Sequence, residues 1–202
     1  VGNVGSKVSR AARNLGMNVL LNDPPRARQE GLSGFVELDE ISKKADIISF
    51  HVPLNMEGED LTYRMVNEAF FERLEKPVFF LNTSRGEIVN ERALKNAIKN
   101  NNVRAAVIDV WNNEPDIDRE LLEMAEIATA HIAGYSLDGK ANGTMMSVRA
   151  TSRFFGLGID DWKPSHLPAP SQSSIFIDCT DMERLEIMAE VYRNTYNIKT
   201  DH

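Results

Sequence analysis

The chain is poor in cysteine, because Cys179 is the single example among 202 residues and no internal disulfide can form. A lone thiol is typical of proteins that work in a reducing compartment, so a cytoplasmic location is expected. Cys179 lies in the apolar run SIFIDCT, residues 174–180, which predicts a buried or half-buried side chain.

Long apolar runs and basic runs are also missing. No stretch approaches the roughly 18 apolar residues that a membrane helix needs. The chain carries 23 Lys and Arg against 30 Asp and Glu, for a net charge of −7. Because such a chain repels phosphate backbones and anionic lipids, neither nucleic acid nor a membrane is predicted as a partner.

An initiator Met is absent too, and the chain opens on Val1-Gly2-Asn3-Val4-Gly5. This opening resembles the middle of a motif rather than its start. We therefore expect the chain to be a fragment, with a first glycine and the strand before it lying ahead of Val1.

Apolar runs alternate with helical spacing over residues 2–156. Predicted strands cover Met17–Leu21, Ile47–Val52, Pro77–Leu81, Val103–Val110 and Ile127–Ala130. Helices are predicted after Gly2, at 38–45, around 66–74, after an Asn90 cap, around 121–124 and at 139–156, with a loop at 26–36. Alternation of this kind predicts an α/β fold with a doubly wound parallel sheet of Rossmann type.

The composition changes after residue 156. Residues 163–170 form a Pro-rich linker, followed by a predicted strand at Ser174–Asp178 and a predicted helix at Asp181–Tyr192. This pattern indicates the start of a second, small α+β domain.

Gly2, Asn3, Val4 and Gly5 stand at a predicted helix start, and Asp23 follows Gly5 by 18 residues at the end of the next predicted strand. Glycines there let a backbone approach a pyrophosphate, and the helix N-terminus attracts the anion. Asp23 would bind the adenosine ribose and repel a 2′-phosphate, which favours NAD over NADP. Arg26 weakens that preference. The alternative is a tight turn at the glycines and a strand-end turn at Asp23.

Arg85, Glu114 and His131 each follow a predicted strand, at the sheet edge where α/β proteins bind ligands. A guanidinium can bind a carboxylate through two parallel hydrogen bonds. A carboxylate on one imidazole nitrogen fixes the tautomer and lets the other nitrogen exchange a proton. Taken singly, the alternatives are a surface Arg85–Glu87 pair, a solvated Glu114 and a core His131. No metal site is predicted.

Six motifs together resemble the D-2-hydroxyacid dehydrogenases: VGNVG, LLNDPP, FHVPL, LNTSRGEIV, AVIDVWNNEP and AHIAGYSLDGKANGT. Arg85, Glu114 and His131 match that family's Arg/Glu/His set in order and in spacing, 29 and then 17 residues. The resemblance covers nearly the whole chain.

The resemblance implies a role for each matching residue. His131 would accept the C2-hydroxyl proton with support from Glu114, and Arg85 would hold the substrate carboxylate. Tyr135 would contact substrate. The NAD site would also include Gly2, Asn3, Val4, Gly5, Asp23, Val52, Thr83, Ser84, Arg85, Asp109 and Gly134. Val52 departs from the pattern, because a hydroxyl residue is familiar before the Pro at that place.

The resemblance further implies an NAD-binding domain at 1–135, a helix returning toward the substrate domain at 136–162, the linker, and a dimerisation domain beginning at 171–202. The substrate implied is a small phosphorylated hydroxy acid, 4-phospho-D-erythronate, oxidised on the route to pyridoxal phosphate by a homodimer. Phosphoglycerate or glycerate as substrate, or a non-catalytic NAD-sensing scaffold, are the alternatives. The 202 residues alone are expected to be poorly stable and inactive.

Overall fold

The computed structural model describes residues 1–31, 33–170 and 172–201. Two compact units are present: the first is Val1–Ala130 together with the C-terminal residues from Lys199, and the second is His131–Ile198. The domain limits predicted from sequence, with breaks at 135, 162 and 170, stay a prediction.

The first unit is built on a parallel sheet. Its strands within the described residues are β1 (Ile47–Phe50), β2 (Val78–Asn82), β3 (Val103–Ile108) and β4 (Ile127–Ala128), in the order β1-β2-β3-β4. All three pairings are parallel. The helices are α1 (Asn3–Asn14), α2 (Pro24–Glu30), α3 (Leu38–Lys44), α4 (Glu68–Glu72), α5 (Glu91–Lys99) and α6 (Arg119–Met124). The predicted α/β class is confirmed.

The core lies on and beside the two central strands. Phe80 of β2 is fully buried and lies opposite Ile48 on one side and Ala106 on the other. Its ring centroid is 5.6 Å from that of Phe50 and 5.8 Å from that of Phe71. Burial of one such ring stabilises the fold by about 1.5–3 kcal/mol, so this aromatic cluster stabilises the pairing of β1 with β2.

Two expectations for the first unit are wrong. Met17–Leu21 is neither helix nor strand and forms no ladder with the described residues, although the Val36 N–H donates to the Leu21 carbonyl at 2.7 Å. An apolar run predicts extended backbone, whereas a strand also needs a paired neighbour. The predicted loop at 26–36 contains most of α2, since Pro24 and Pro25 occupy the first helical positions, where no N–H is required.

The second unit contains α7 (Leu137–Phe155) and α8 (Arg184–Thr195). Ser136 caps α7, and Gly156 ends it in a left-handed conformation, close to the predicted span of 139–156. Residues 174–178 form no strand, so that prediction is wrong, and the α+β character expected of this segment is not seen in residues 172–201. Cys179 is exposed rather than buried. Without a ladder, apolar side chains such as Phe176 remain in solvent.

No helix among the described residues combines the length and the apolar character that crossing a bilayer requires.

Candidate active site

Asn82 organises the loop that carries Arg85. It is the last residue of β2 and is buried. Its Oδ1 accepts hydrogen bonds from the Ser84 N–H at 3.1 Å and the Ser84 hydroxyl at 2.9 Å. Its Nδ2 donates to the Arg85 carbonyl at 2.9 Å. The side-chain amide of Asn82 thus makes the hydrogen bonds that hold the turn after β2, and Arg85 projects from this turn.

Gly86 brings the loop after β2 against the loop after β3. A Cβ built at Gly86 would lie 2.1 Å from both the carbonyl carbon and the carbonyl oxygen of Trp111. No side chain fits there, so glycine is required by the close approach of two backbones. The Arg85 segment and the Trp111 segment are therefore neighbours in space.

Glu114 is held by the backbone of its own turn, because its Oε1 accepts from the Trp111 N–H at 2.9 Å. The indole Nε1 of Trp111 donates in turn to the Thr129 carbonyl at 2.9 Å. The Thr129 hydroxyl donates to Oδ1 of Asp109 at 2.6 Å. This chain of bonds ties the ends of β3 and β4 together and fixes where the Glu114 turn stands.

Glu91, at the start of α5, holds the same turn from the other side. Its Oε1 accepts from the Asn112 N–H at 2.9 Å, while the Asn112 amide donates to the Val89 carbonyl at 3.1 Å. Burial raises the pKa of Glu91 above its ordinary value, against the opposing effect of the Asn112 hydrogen bonds. Asn90, the predicted cap of α5, accepts from the Ala93 N–H.

Arg85 and Glu114 are both exposed, on loops that are adjacent through Gly86. Nη1 of Arg85 donates to the Ser84 carbonyl at 2.6 Å, and the rest of the guanidinium is exposed to solvent. The structure thus brings together the segments of two of the three predicted catalytic residues.

His131 is the first residue of the second unit and has a left-handed backbone, with φ of 56°. Gly134 and Tyr135 belong to that unit too, and both are exposed. The Lys140 ammonium lies 3.6 Å from the centroid of the Tyr135 ring. Hydrogen bonding to Lys140 lowers the pKa of the Tyr135 phenol. The roles of His131, Gly134 and Tyr135 stay predictions.

The glycine turn at the start of α1 suits a bound pyrophosphate. Gly2 is the N-cap of α1, and no side chain caps its first-turn amides. A Cβ added at Gly2 would meet no atom of the described residues within 4 Å, so the approach is open. Asn3 and Val4 are exposed in this first turn, while Gly5 is buried with its Cβ position 3.5 Å from Cβ of His51. A dinucleotide phosphate fits this space and this helix end.

Asp23 is half-buried at the start of α2. Its Oδ1 accepts from the Arg26 N–H at 3.1 Å and so caps the helix. The predicted ribose role therefore shares this carboxylate with a capping role that the spacing did not reveal.

The remaining predicted NAD contacts differ in exposure. Val52 and Thr83 are half-buried, Ser84 is buried with its hydroxyl on Asn82, and Asp109 is buried with an oxygen on Thr129. Asp109 thus has a clear structural role at the end of β3. Cofactor contacts by these residues stay predictions.

Four positioning residues escaped the sequence reasoning: Asn82, Gly86, Trp111 and Thr129. Each is buried at the end of a strand or within four residues after it. A signal was present, since a polar side chain that ends an apolar run must find partners when it is buried. The partners themselves depend on which loops meet, which spacing does not reveal.

Residues 1–133 match the family model described as D-isomer specific 2-hydroxyacid dehydrogenase, NAD binding domain. The chain is 47% identical over 192 residues to an erythronate-4-phosphate dehydrogenase from Bacteroides thetaiotaomicron, covering 95% of this chain and 53% of that protein. It therefore spans about half the length of the curated relatives that it matches.

Two solved structures show the same fold. One is a D-lactate dehydrogenase from Aquifex aeolicus in complex with NAD and lactic acid, at 28% identity and a TM-score of 0.63, covering 83% of this chain and 56% of that one. The other is an acyclic imino acid reductase in complex with NADPH and D-Arg, at 26% identity and a TM-score of 0.64, covering 77% and 49%. The chain belongs to the D-isomer-specific 2-hydroxyacid dehydrogenases, through their NAD-binding domain.

Proposed function

We propose that the protein oxidises 4-phospho-D-erythronate to 3-hydroxy-2-oxo-4-phosphonooxybutanoate with NAD, on the route to pyridoxal 5′-phosphate. The observation that carries this proposal is the 47% identity, across 95% of the chain, to an enzyme named for that substrate. The site geometry supports a dehydrogenase more generally, because the loops of Arg85 and Glu114 meet beside the carboxyl ends of β2 and β3.

His131 is proposed as the base. Its imidazole takes the proton of the C2 hydroxyl, and the electron pair left on oxygen forms the C2 carbonyl. NAD, when bound, accepts the hydride that leaves C2. Glu114 is the proposed partner that fixes the His131 tautomer and stabilises the imidazolium.

Arg85 is proposed to bind the C1 carboxylate. Its side chain projects from a turn whose backbone Asn82 holds, so the base of the side chain is fixed before substrate arrives. Such fixing lowers the entropic cost of orienting C2. A lysine at this position would keep the charge but lose the two-pronged contact.

The 4-phosphate is proposed to contact Lys140. This lysine lies in the first turn of α7 and against Tyr135, the residue proposed to contact substrate. A solvated helix lysine without a ligand is the alternative. Lys140→Gln should raise the KM for 4-phosphoerythronate and leave that for unphosphorylated erythronate unchanged.

A homodimer in the cytoplasm completes the proposal. The segment from residue 171 supports the dimer through its resemblance to a dimerisation domain, and the single Cys179 supports the reducing compartment. Light scattering of the complete gene product measures the mass directly, and a monomer at micromolar concentration would contradict the dimer.

Turnover by the complete gene product tests the reaction. Oxidation of 4-phosphoerythronate is compared with that of 3-phosphoglycerate, with NAD and a 2-oxo acid acceptor present, for the wild type and His131→Ala. We expect a strong preference for 4-phosphoerythronate that is lost in the variant, while NAD binding persists. Preference for another acid would keep the mechanism and reject the substrate. Absence of turnover with NAD still bound would favour a sensing scaffold.

A further inference from the structure

Arg26 stands where it could affect which cofactor the protein takes. It occupies the first turn of α2, and its own N–H is capped by the Asp23 carboxylate. A guanidinium this close to a proposed ribose site would attract a 2′-phosphate and offset the repulsion by Asp23. The same fold binds NADPH in the imino acid reductase structure, so the preference must be set locally.

All three nitrogens of the Arg26 guanidinium already have an acceptor in the protein. Nε and Nη2 donate to the two carboxylate oxygens of Glu30, each at 2.7 Å. Nη1 donates to the Val1 carbonyl at 2.9 Å. The flat face lies over the Phe35 ring, with Cζ 5.2 Å from the centroid. The Nε–Nη2 edge is therefore occupied by Glu30, and the ion pair holds the guanidinium in this orientation.

Helix stability does not explain this ion pair. Glu30 is the last residue of α2, where a carboxylate faces the negative end of the helix dipole. The basic residue precedes the acidic one at the i,i+4 spacing, which is the less favourable order. Both side chains are partly exposed, at 39% and 49%, and exposed pairs of this kind add little to folding.

We propose that Glu30 determines cofactor preference, by holding Arg26 in a two-pronged ion pair that denies the guanidinium to the 2′-phosphate of NADP. Glu30 and Asp23 then present two carboxylates against one occupied cation. The proposal rests on the proposed placing of the adenosine ribose at Asp23.

Calorimetric titration of the complete gene product with NAD⁺ and with NADP⁺ tests the proposal without any turnover. The variants are Glu30→Gln, Arg26→Gln, their double variant and Asp23→Asn. Glu59→Gln is the matched control, because Glu59 pairs with Arg28, another arginine of α2. The change removes the same charge without touching Arg26.

Glu30→Gln should tighten NADP⁺ binding about three- to tenfold and change NAD⁺ binding less than about twofold. The double variant should lose that gain, and Arg26→Gln alone should not tighten NADP⁺ binding, because it removes the cation and leaves Asp23 and Glu30 facing the 2′-phosphate. Glu59→Gln should behave as the wild type.

Equal effects of Glu30→Gln on both cofactors, or the same gain in Glu59→Gln, would overturn the proposal. If Asp23→Asn improves NADP⁺ binding while Glu30→Gln does not, the ribose placing stands and the role of Glu30 fails. If Asp23→Asn leaves both affinities unchanged, the ribose placing fails and the role of Glu30 fails with it.

Discussion

The Thr129 hydroxyl donates to the buried carboxylate of Asp109 at 2.6 Å, across the ends of two neighbouring strands. The Thr129 carbonyl also accepts from the Trp111 indole N–H. Thr129, which follows β4, is therefore bonded to two residues that follow β3. Two residues further along the chain comes His131, the proposed base. Buried hydrogen bonds therefore hold the loops after β3 and β4 in place.

Replacing Thr129 should expose the importance of its hydroxyl. Thr129→Val keeps the shape but removes one donor from a buried carboxylate, which should destabilise the protein by about 1–3 kcal/mol. Thr129→Ser keeps the donor and should recover most of that loss. Thermal unfolding of both variants measures the difference, and equal melting temperatures for Val and Ser would contradict the expectation.

Trp111→Phe should separate ring packing from hydrogen bonding. The phenyl ring keeps most of the buried apolar surface, while the Thr129 carbonyl loses its indole donor. In the complete gene product, we expect a loss of about 1–2 kcal/mol in stability and a lower kcat with little change in KM, because the backbone N–H of the same residue positions Glu114. Trp162→Phe makes the same change in the second unit, and its kcat should stay at the wild-type value.

Gly86→Ala should force two loops apart. The added methyl group would stand 2.1 Å from the Trp111 carbonyl, which only a backbone shift can relieve. Overpacking of this kind costs about 1–3 kcal/mol, and we expect activity to fall further than stability, since Arg85 moves with the loop. The control is Gly143→Ala in α7, where an added Cβ meets no described atom within 4 Å. This substitution should stabilise the protein by about 0.5–1 kcal/mol.

Glu91 should give stability a pH dependence of defined sign. Because burial raises its folded pKa, the folded state binds this proton more tightly than the unfolded state. The free energy of unfolding should therefore decrease as the pH rises above the ordinary pKa of a glutamate and through the raised value. Glu91→Gln keeps an oxygen that can accept from the Asn112 backbone N–H but removes the titrating carboxyl. The dependence of the free energy of unfolding on pH, measured with urea between about pH 4 and pH 7, should therefore become flatter. An unchanged slope would contradict this.

The sequence predicted elements best where an apolar run has a paired neighbour among the described residues. Strands β1 to β4 and helix α7 were found because their patterns are local, and the alternation of strands and helices predicted that the sheet is parallel. Met17–Leu21 and Ser174–Asp178 carried the same apolar signal without a paired neighbour among the described residues, and neither is a strand. Helix α2 was missed because Pro24 and Pro25 indicate a break but also suit a first turn.

For the candidate site, order along the chain indicated which loops should lie side by side but not what holds them. Arg85 and Glu114 lie on adjacent loops as expected. The backbone contact at Gly86 depends on which two loops meet, and spacing carries no such information. The capping bond from the Arg26 N–H to Asp23 is local and was missed together with helix α2.

The bonds from side chains to loop amides also bear on how the protein opens locally. The amides of Ser84, Trp111 and Asn112 donate to Asn82, Glu114 and Glu91, respectively. Loop amides usually exchange with solvent through small, frequent fluctuations. Asn82 belongs to β2 and Glu91 to α5, so the amides of Ser84 and Asn112 should exchange only when that surrounding structure opens. We therefore expect the loops after β2 and β3 to open together with the central strands, and deuterium uptake at Ser84 and Asn112 should be as slow as in β2 and β3.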